Sequence, residues 1–385
     1  MVRETRWQTV EGRDRVYNSI LKRANFTIRD SVPGDEREIL RLCQRVFAAS
    51  LTLEEWNWRT FGNPAGKTLS LVAFQKDDGR LIGHMAGVSV DLAVGRISRK
   101  AFFIIDSVVD PLQKGRGIHA ALSMAIAKKS GELAAGFPIG LPNQQAYLPC
   151  LKMGGTHLLT IPVFFKVLDW RRVVRAKLRS NFLAQIAGVL GRPFQQGQAP
   201  DKRTEFTLQE VQRFESSLDE LSDRVGPRFG ICPKRESSLL NWRYFERPGS
   251  PYSVFSISSG GQWQGYIVVR LLEKWGLRLG TLVDLFFDPD CAPAGQLLLC
   301  HAEKQLRASG ADVLWGLFAA PQTYQKLFRK TGFFKAPQLK GLRRFHFVAD
   351  FVTIDGLRPD LDRRDGALLR QADQWFLSLG DTDLA

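Results

Sequence analysis

Residues 101–122 read AFFIIDSVVDPLQKGRGIHAAL. The apolar run at the start, Ala101 to Ile105, is continuous rather than alternating, as expected for a strand that is covered on both faces. Two glycines follow in a short basic loop, and from Ile118 onward the apolar residues recur at helical spacing. The stretch therefore predicts a strand, a glycine-rich loop and a helix with one buried face.

The loop between the predicted strand and helix suits an anion. Gly115 and Gly117 allow the backbone to approach a pyrophosphate closely, because glycine has no side chain and tolerates positive φ. The charge of such a group would be met by the amides at the start of the helix and by Lys114 and Arg116. A glycine-rich turn alone is a weak signal, and its place between a strand and a helix strengthens it.

The chain carries this pattern twice. Asp106 returns as Asp284 and Gly154 returns as Gly332, both 178 positions later. An Asn-Trp-Arg motif also occurs twice, at 57–59 and 241–243. Chance matches drift in register, so one offset held over about fifty residues indicates two copies of one folding unit.

The two copies differ at the loop. The second copy reads DPDCAPAGQ at 288–296, with a proline, an extra acid and no cation, and it keeps only the last glycine, Gly295. A loop of that composition does not suit an anion. We therefore expect one working ligand site, in the N-terminal half.

With 385 residues and 44% hydrophobic content, the chain is long enough for two cores and is not of the disordered class. Each copy reads as a strand and helix, a β-meander, the loop and its helix, and further strands, the first copy closing with a strand at Leu158 to Val167. The predicted fold class is α/β, with a mixed, mostly antiparallel sheet flanked by helices in each of two tandem domains. We expect these domains at 1–169 and 204–350, with a connector at 170–203 and a tail at 351–385.

The net charge of +15 is compatible with nucleic acid, an anionic membrane surface or a polyphosphorylated ligand. No nucleic-acid recognition motif accompanies the charge, so we expect no nucleic-acid partner. The five scattered cysteines contain no Cys-x-x-Cys pair, which argues against a disulfide framework and a zinc site. No metal is assigned, because four of the histidines show no ligand spacing: His84, His157, His301 and His346.

The connector begins with a basic amphipathic segment, Trp170 to Leu190. It could contact a membrane surface, or it could be a connector helix packed against the domains, which we favour. The start of the sequence lacks the apolar core of a signal peptide, and no apolar run is long enough for a membrane span. We expect a cytoplasmic protein, with a peripheral membrane contact left open.

The run from Ile105 to Leu122, with Asn143 and the Lys-Met-Gly at 152–154, resembles the GNAT (GCN5-related N-acetyltransferase) superfamily. The likeness covers most of residues 26–350 and suggests a tandem GNAT protein with a degenerate second copy. It implies an acyl-CoA co-substrate, acetyl-CoA or another, and acyl transfer to an amine. Val108 and Val109 would meet the pantetheine, since a ligand edge can pair with a strand edge. The other implied contacts are Gln113, Lys114, Gly115, Arg116, Gly117, Ile118 and Asn143.

The resemblance is imperfect at two places. His119 stands where the family's loop pattern has glycine or alanine, and Cys150 stands where the family often has the tyrosine that protonates the CoA thiolate. Tyr147 lies three residues earlier and is potentially on the same helical face, so both Tyr147 and Cys150 are candidate acids. Asp106 is the candidate general base. Asp284 occupies the same place in the second copy, which equally fits a structural role for this acid.

Three functions remain open at this point. The first is an acyl-CoA-dependent N-acyltransferase, an acetyltransferase by preference, acting on a primary amine of a small molecule or amino sugar. The second is a non-catalytic CoA-binding module, and the third is an aminoacyl or long-chain acyl transferase like the peptidoglycan-bridge enzymes. The apolar tail, Trp375 to Asp383, could close over an acceptor cleft or simply dock. The acceptor and the oligomeric state are left open.

Overall fold

The computed structural model describes residues 7–47, 51–178, 205–249, 251–337, 344–352, 355 and 363–382. The chain forms two units. The first unit comprises 1–160, 246–248 and 343–372, and the second comprises 161–245, 249–342 and 373–385.

The N-terminal half contains two helices that the sequence did not predict, α1 and α3, and otherwise follows the predicted order of elements as far as α5. The helices are α1 (Val10–Arg23), α2 (Glu36–Phe47), α3 (Leu53–Phe61), α4 (Ile118–Ala134), α5 (Gln144–Lys152) and α6 (Trp170–Leu178). The strands are β1 (Phe26–Asp30), β2 (Leu69–Gln75), β3 (Leu81–Val94), β4 (Ile97–Val109), β5 (Phe137–Gly140), β6 (Thr156–Ile161) and β7 (Val163–Val167).

The C-terminal half repeats this order from its first strand. The strands are β8 (Thr207–Glu210), β9 (Ile231–Pro233), β10 (Ser253–Ser259), β11 (Gln262–Lys274), β12 (Leu277–Phe287), β13 (Val313–Ala319), β14 (Phe334–Lys335), β15 (Phe345–Ala349) and β16 (Leu377–Ser378). The helices are α7 (Ser216–Val225), α8 (Ser237–Tyr244), α9 (Ala292–Ala308), α10 (Gln322–Lys330) and α11 (Arg363–Leu369).

Each unit is built on a mixed sheet. The first sheet runs β1-β2-β3-β4-β5-β15-β6, and the second runs β8-β10-β11-β12-β13-β7-β14. Strands β4 and β5 are parallel, as are β12 and β13, whereas the meanders are antiparallel. The predicted fold class of two mixed sheets flanked by helices is confirmed.

The two copies exchange one strand each. β15, from the second copy, lies beside β5 in the first sheet, and β7, from the first copy, lies beside β13 in the second. The single closing strand predicted at Leu158 to Val167 is wrong, because it divides at Pro162 into β6 and β7, which lie in different sheets. Proline lacks the amide that would continue a ladder, which suits such a break. The sequence repeat and the spatial units therefore differ by this exchange.

Alternation along β2 explains how helices cover both faces of the first sheet. Leu71 and Ala73 pack with the apolar side of α4, whereas Val72 packs with α2 and α3. Helix α1 adds Tyr17, Ile20 and Leu21 to the α4 side. The sheet is therefore buried on both faces, as the continuous apolar runs predict.

The basic connector is described only over its first part. Helix α6 is described from Trp170 to Leu178, and the rest of the predicted segment, 179–203, lies outside the described residues. Arg172 of α6 lies 3.3 Å from the Asp312 carboxylate within the second unit. Among the helices of the described ranges, none combines the length and apolar character needed to cross a bilayer.

Candidate active site

The site in the first unit begins at a bulge in β4. The pairing of β4 with β3 changes register between His84 and Ala86, and Asp106 adopts φ +46° there. A positive φ is unfavourable for a residue with a side chain, so the ladder on either side must hold it in place. The bulge redirects the strand just before the glycine loop.

Beyond the bulge, one edge of β4 is left without a strand neighbour. β4 pairs with β5 at Ala101, Phe102 and Phe103, and β5 ends at Gly140 while β4 continues to Val109. The segment Ile105 to Val109 therefore presents unpaired main-chain groups toward the β5 side, as judged from the strand pairings of the described residues. Val108 and Val109 belong to this segment, and their predicted contact with pantetheine stays a prediction.

The glycine loop has the geometry of an anion cradle. Gly115 has φ +80° and Gly117 has φ +79°, so both adopt a conformation that other residues avoid. Gly117 caps α4 without a side-chain hydrogen bond, which leaves the first-turn amides available to a ligand. A Cβ at Gly115 would meet nothing within 4 Å, so this face of the loop is open.

Two cations flank the cradle. Lys114 and Arg116 are both exposed, and neither pairs with an acidic side chain of the described residues. Gln113 behaves differently, because it is buried and its Nε2 donates to Gln75 Oε1 at 3.1 Å. Ile118 is buried in the core, so only its backbone can face a ligand. These features fit a pyrophosphate at the start of α4.

Asn143 has a structural role in helix α5. Its side-chain oxygen accepts hydrogen bonds from the amides of Gln145 and Ala146, which makes it the N-cap. The cap fixes the start of α5 at the end of β5. Its predicted contact with the co-substrate stays a prediction.

Asp106 lies in a cluster of polar side chains under the bulge. Its carboxylate forms an ion pair with Arg59. A carboxylate oxygen of Asp106, the Cys43 sulfur and one ring nitrogen of His84 lie within 4.8 Å of one another. His84 is fully buried, and its Nε2 lies 3.0 Å from Ser70 Oγ. These residues could hold a metal ion, although Arg59 already places a positive charge on the carboxylate.

Burial sets the protonation of this cluster. It lowers the pKa of His84 to about 4 and raises the pKa of Cys43 to about 12, in both cases because desolvation disfavours the charged form. At neutral pH the imidazole and the thiol are both uncharged. The Arg59–Asp106 pair therefore carries the charges of the cluster.

The two candidate acids occupy different environments. Cys150 is partly buried, and desolvation followed by the nearby Asp350 carboxylate raises its pKa to about 11. Tyr147 stacks on His346 with ring centroids 4.0 Å apart and meets His157 edge-on at 5.8 Å. No sequence pattern indicates this grouping, because His346 is far along the chain and reaches the first unit on the exchanged strand β15.

One family model matches part of the chain. Residues 27–144 match the model of the acetyltransferase (GNAT) domain. A comparison with curated protein sequences gave no significant match.

Residues 27–144 form a GNAT domain. The matched range contains β4, the glycine loop, α4 and Asn143, so the predicted resemblance is confirmed.

Solved structures show that the GNAT fold extends over most of the chain. A probable N-acyltransferase of unknown function from Enterococcus faecalis V583 is 12% identical, with TM-score 0.61, covering 86% of this chain and 74% of that one. A GCN5-related N-acetyltransferase from Anabaena variabilis is 13% identical, with TM-score 0.60 and coverages of 84% and 72%. Saccharomyces cerevisiae N-myristoyltransferase with bound myristoyl-CoA is 13% identical, with TM-score 0.56 and coverages of 85% and 83%. At these identities the likeness shows that most of the chain shares the fold of these proteins.

The GNAT loop is replaced in the second copy. Helix α9 begins at Ala292, so Gly295 lies inside the helix instead of before it. A Cβ at Gly295 would lie 2.8 Å from the Phe287 ring, which shows that this glycine serves close packing. Asp288 forms an ion pair with Arg228 at 2.7 Å, so an internal carboxylate stands near the start of the helix.

The tail occupies the place in the second copy where β13 extends beyond its pairing with β12. β13 pairs with β12 up to Gly316, and beyond that point Phe318 and Ala319 pair with β16 of the tail. Phe376 is fully buried and stacks on Phe229 at 4.3 Å. The tail thus docks within the second unit, on the strand that corresponds to β5.

The second copy also seals its equivalent of Asp106. In the first unit, Gly83 pairs with Val109. In the second unit, Gly265 pairs with Phe287, which lies 178 residues after Val109. Tyr266, which follows Gly265, therefore corresponds to His84, which follows Gly83. Tyr266 Oη donates to Asp284 at 2.7 Å, and Asp284 is 1% exposed. Arg235, which is equally buried, links Asp284 at 3.3 Å to Asp381 of the tail at 2.8 Å. This acid is a structural group, enclosed by the tail.

Proposed function

We propose that this chain is an acyl-CoA-dependent N-acyltransferase whose first unit binds the acyl-CoA. The observation that carries the proposal is the difference between the copies. The first has an open strand edge and a cationic glycine cradle. In the second, the tail pairs with β13 beyond the β12–β13 pairing, and a helical turn replaces the loop. One acyl-CoA per chain follows. The acceptor we propose is a primary amine of a small molecule or amino sugar.

The residues of the first unit fit the parts of acyl-CoA in order. The α4 amides, Lys114 and Arg116 would hold the pyrophosphate, and the β4 edge at Val108 and Val109 would pair with the pantetheine amides. The thioester would then lie beside the bulge at Asp106. Holding the thioester against an incoming neutral amine supplies the proximity that acyl transfer needs.

Asp106 is a weak candidate for the general base in this arrangement. Its carboxylate is already engaged in an ion pair with Arg59, so it is not free to take the proton of an incoming amine. We propose that the Arg59–Asp106 pair chiefly holds the bulge, so that the β4 edge keeps its direction.

Acetyl transfer is our first choice, and a longer acyl chain is the second candidate. The second candidate is favoured by the fold likeness to an N-myristoyltransferase with bound myristoyl-CoA. Competition between acetyl-CoA and myristoyl-CoA in a thermal-shift titration would separate them, because the better ligand stabilises the folded state at lower concentration.

The activity test is release of free thiol from acyl-CoA in the presence of amines. Glucosamine, spermidine and a lysine peptide would sample the acceptor classes, and calorimetry would give the binding stoichiometry. We expect one acyl-CoA per chain and amine-dependent thiol release. Binding without turnover across the panel would favour a CoA-binding module, and a stoichiometry of two would contradict the assignment of one site.

A further inference from the structure

Three aromatic side chains meet on the first unit where β5 ends and α5 begins. Tyr147 lies on α5, His157 lies on β6 and His346 lies on β15. The Tyr147 and His346 rings are nearly parallel at 4.0 Å, and the two imidazoles meet edge-on at 5.3 Å. His346 Nδ1 lies 3.1 Å from Thr160 Oγ1, which fixes the orientation of the ring.

The strand register places this cluster beside the proposed acyl-CoA cleft. β15 runs antiparallel to β5, with Val348 opposite Gly140, the last residue of β5. His346 precedes Val348 by two positions, so it extends past the end of β5. β4 lies on the other side of β5 and also continues beyond the β4–β5 pairing. This part of β4 carries the bulge and the open edge. Beyond Gly140, β4 and β15 therefore border the same gap in the sheet.

We propose that His346 is the proton-transfer residue of the acyltransferase reaction, accepting the proton of the attacking amine and returning it to the CoA sulfur. The assignment rests on the proposed function. In the tautomer whose Nδ1–H donates to Thr160 Oγ1, Nε2 carries the lone pair that acts as base. Tyr147 positions the ring by stacking on it.

One imidazole can carry out both proton transfers of the reaction. The amine nitrogen forms a bond to the thioester carbonyl carbon while the carbon–sulfur bond breaks, and the sulfur leaves with the electron pair. The nitrogen gives up one proton, the imidazole takes it, and the thiolate then receives it as free CoA. The same residue therefore serves as base and acid, which removes the need for a tyrosine at the position of Cys150.

The surroundings of His346 favour the neutral ring that a base requires. Desolvation lowers its pKa below the ordinary value, and the charges of His157 on β6 and Arg344 on its own strand act in the same direction. Tyr147 faces it from α5. The base is therefore unprotonated at neutral pH, and its activity falls as the pH drops through that lowered value.

His346→Gln is the direct test, with His301→Gln as the matched control. His301 also packs against an aromatic ring, Phe255 at 4.6 Å, but it lies in the second unit. For each protein, kcat would be measured by thiol release from acetyl-CoA with glucosamine, spermidine and a lysine peptide between pH 5 and 9. Acetyl-CoA affinity would be measured by calorimetry.

We expect His346→Gln to lower kcat about 100-fold at pH 7, the usual scale of acid–base catalysis, with affinity within about twofold of wild type. The acid limb that protonation of the ring produces in the wild-type pH profile should be absent in His346→Gln. His301→Gln should match wild type.

The outcomes separate the two proposals. Equal kcat in wild type and His346→Gln would overturn the role of His346 and leave the acyltransferase function standing. Weaker acetyl-CoA binding with unchanged kcat would also overturn it, since the ring would then be a binding surface. No turnover by the wild type with any of the amines would overturn both.

Discussion

Replacing both Lys114 and Arg116 with alanine tests the pyrophosphate cradle most directly. Both side chains are exposed and pair with no acid of the described residues, so their removal breaks no ion pair seen in the structure. The glycine conformations and the start of α4 stay as they are. The double variant should therefore lose affinity for acyl-CoA and keep its stability.

The expected loss follows from the exposure of the two side chains. A hydrogen bond to a charged group contributes about 1.5–3 kcal/mol in a sheltered site, and an exposed ion pair contributes about 0.2–1 kcal/mol. Because the loop is open to solvent, we take about 1 kcal/mol for each contact, or about 2 kcal/mol for both. At about 1.4 kcal/mol per tenfold change, the Kd should rise about 30-fold.

Calorimetry with acetyl-CoA at low and high salt would measure this loss. Salt screens exposed charges, so the affinity of the wild type for acetyl-CoA should fall when the salt concentration is raised from about 0.05 M to about 0.5 M. The affinity of the double variant should change much less. Lys326→Ala is the control, because Lys326 is exposed, lies on α10 in the second unit and also pairs with no acid of the described residues.

Two results would refute the reasoning. A Kd within about threefold of wild type would mean that the loop cations do not meet the ligand. An equal loss in Lys326→Ala would mean that general positive charge, and not the cradle, attracts the co-substrate. A melting temperature close to wild type in the double variant would show that the loss belongs to binding.

Three further outcomes are expected. Gly117→Ala should weaken acyl-CoA binding in the same calorimetric assay, because φ at Gly117 is +79° and the new Cβ would lie 3.2 Å from Ile20. Gly226→Ala is the control and should bind acyl-CoA normally, because a Cβ at Gly226 would meet nothing within 4 Å. Phe376→Ala should cost about 3–5 kcal/mol of unfolding free energy in denaturant titrations, because the ring is fully buried; unchanged stability would show that the tail is not part of the core. The pKa of His84 is about 4 in the folded protein, against an ordinary value of 6.5. Between these two values the unfolded chain takes up a proton that the folded chain does not. The free energy of unfolding should therefore fall as the pH drops from about 6.5 toward 4, by up to about 3 kcal/mol. His84→Gln should flatten that slope, and an equally steep slope in the variant would place its origin in another group.

The sequence by itself determined the features that are written in neighbouring residues. The continuous apolar run, the two glycines and the helical spacing from Ile118 predicted β4, its loop and α4, because backbone conformation and side-chain periodicity are local properties. The constant offset revealed the two copies, and the loss of glycine and cations around Gly295 marked the loop that no longer suits an anion.

The tertiary structure alone decided which side chains meet. Thr160 and His346 are 186 positions apart, and Arg235 and Asp381 are 146 apart, so no periodicity within either segment records these contacts. The two copies share one strand pattern, so the sequence could not indicate that β15 lies in the first sheet and β7 in the second. That exchange brings His346 to the first unit. The burial of Phe376 explains why the tail is apolar where it packs within the second unit. Contacts between distant segments are set by packing and burial, which become defined only when the whole chain has folded.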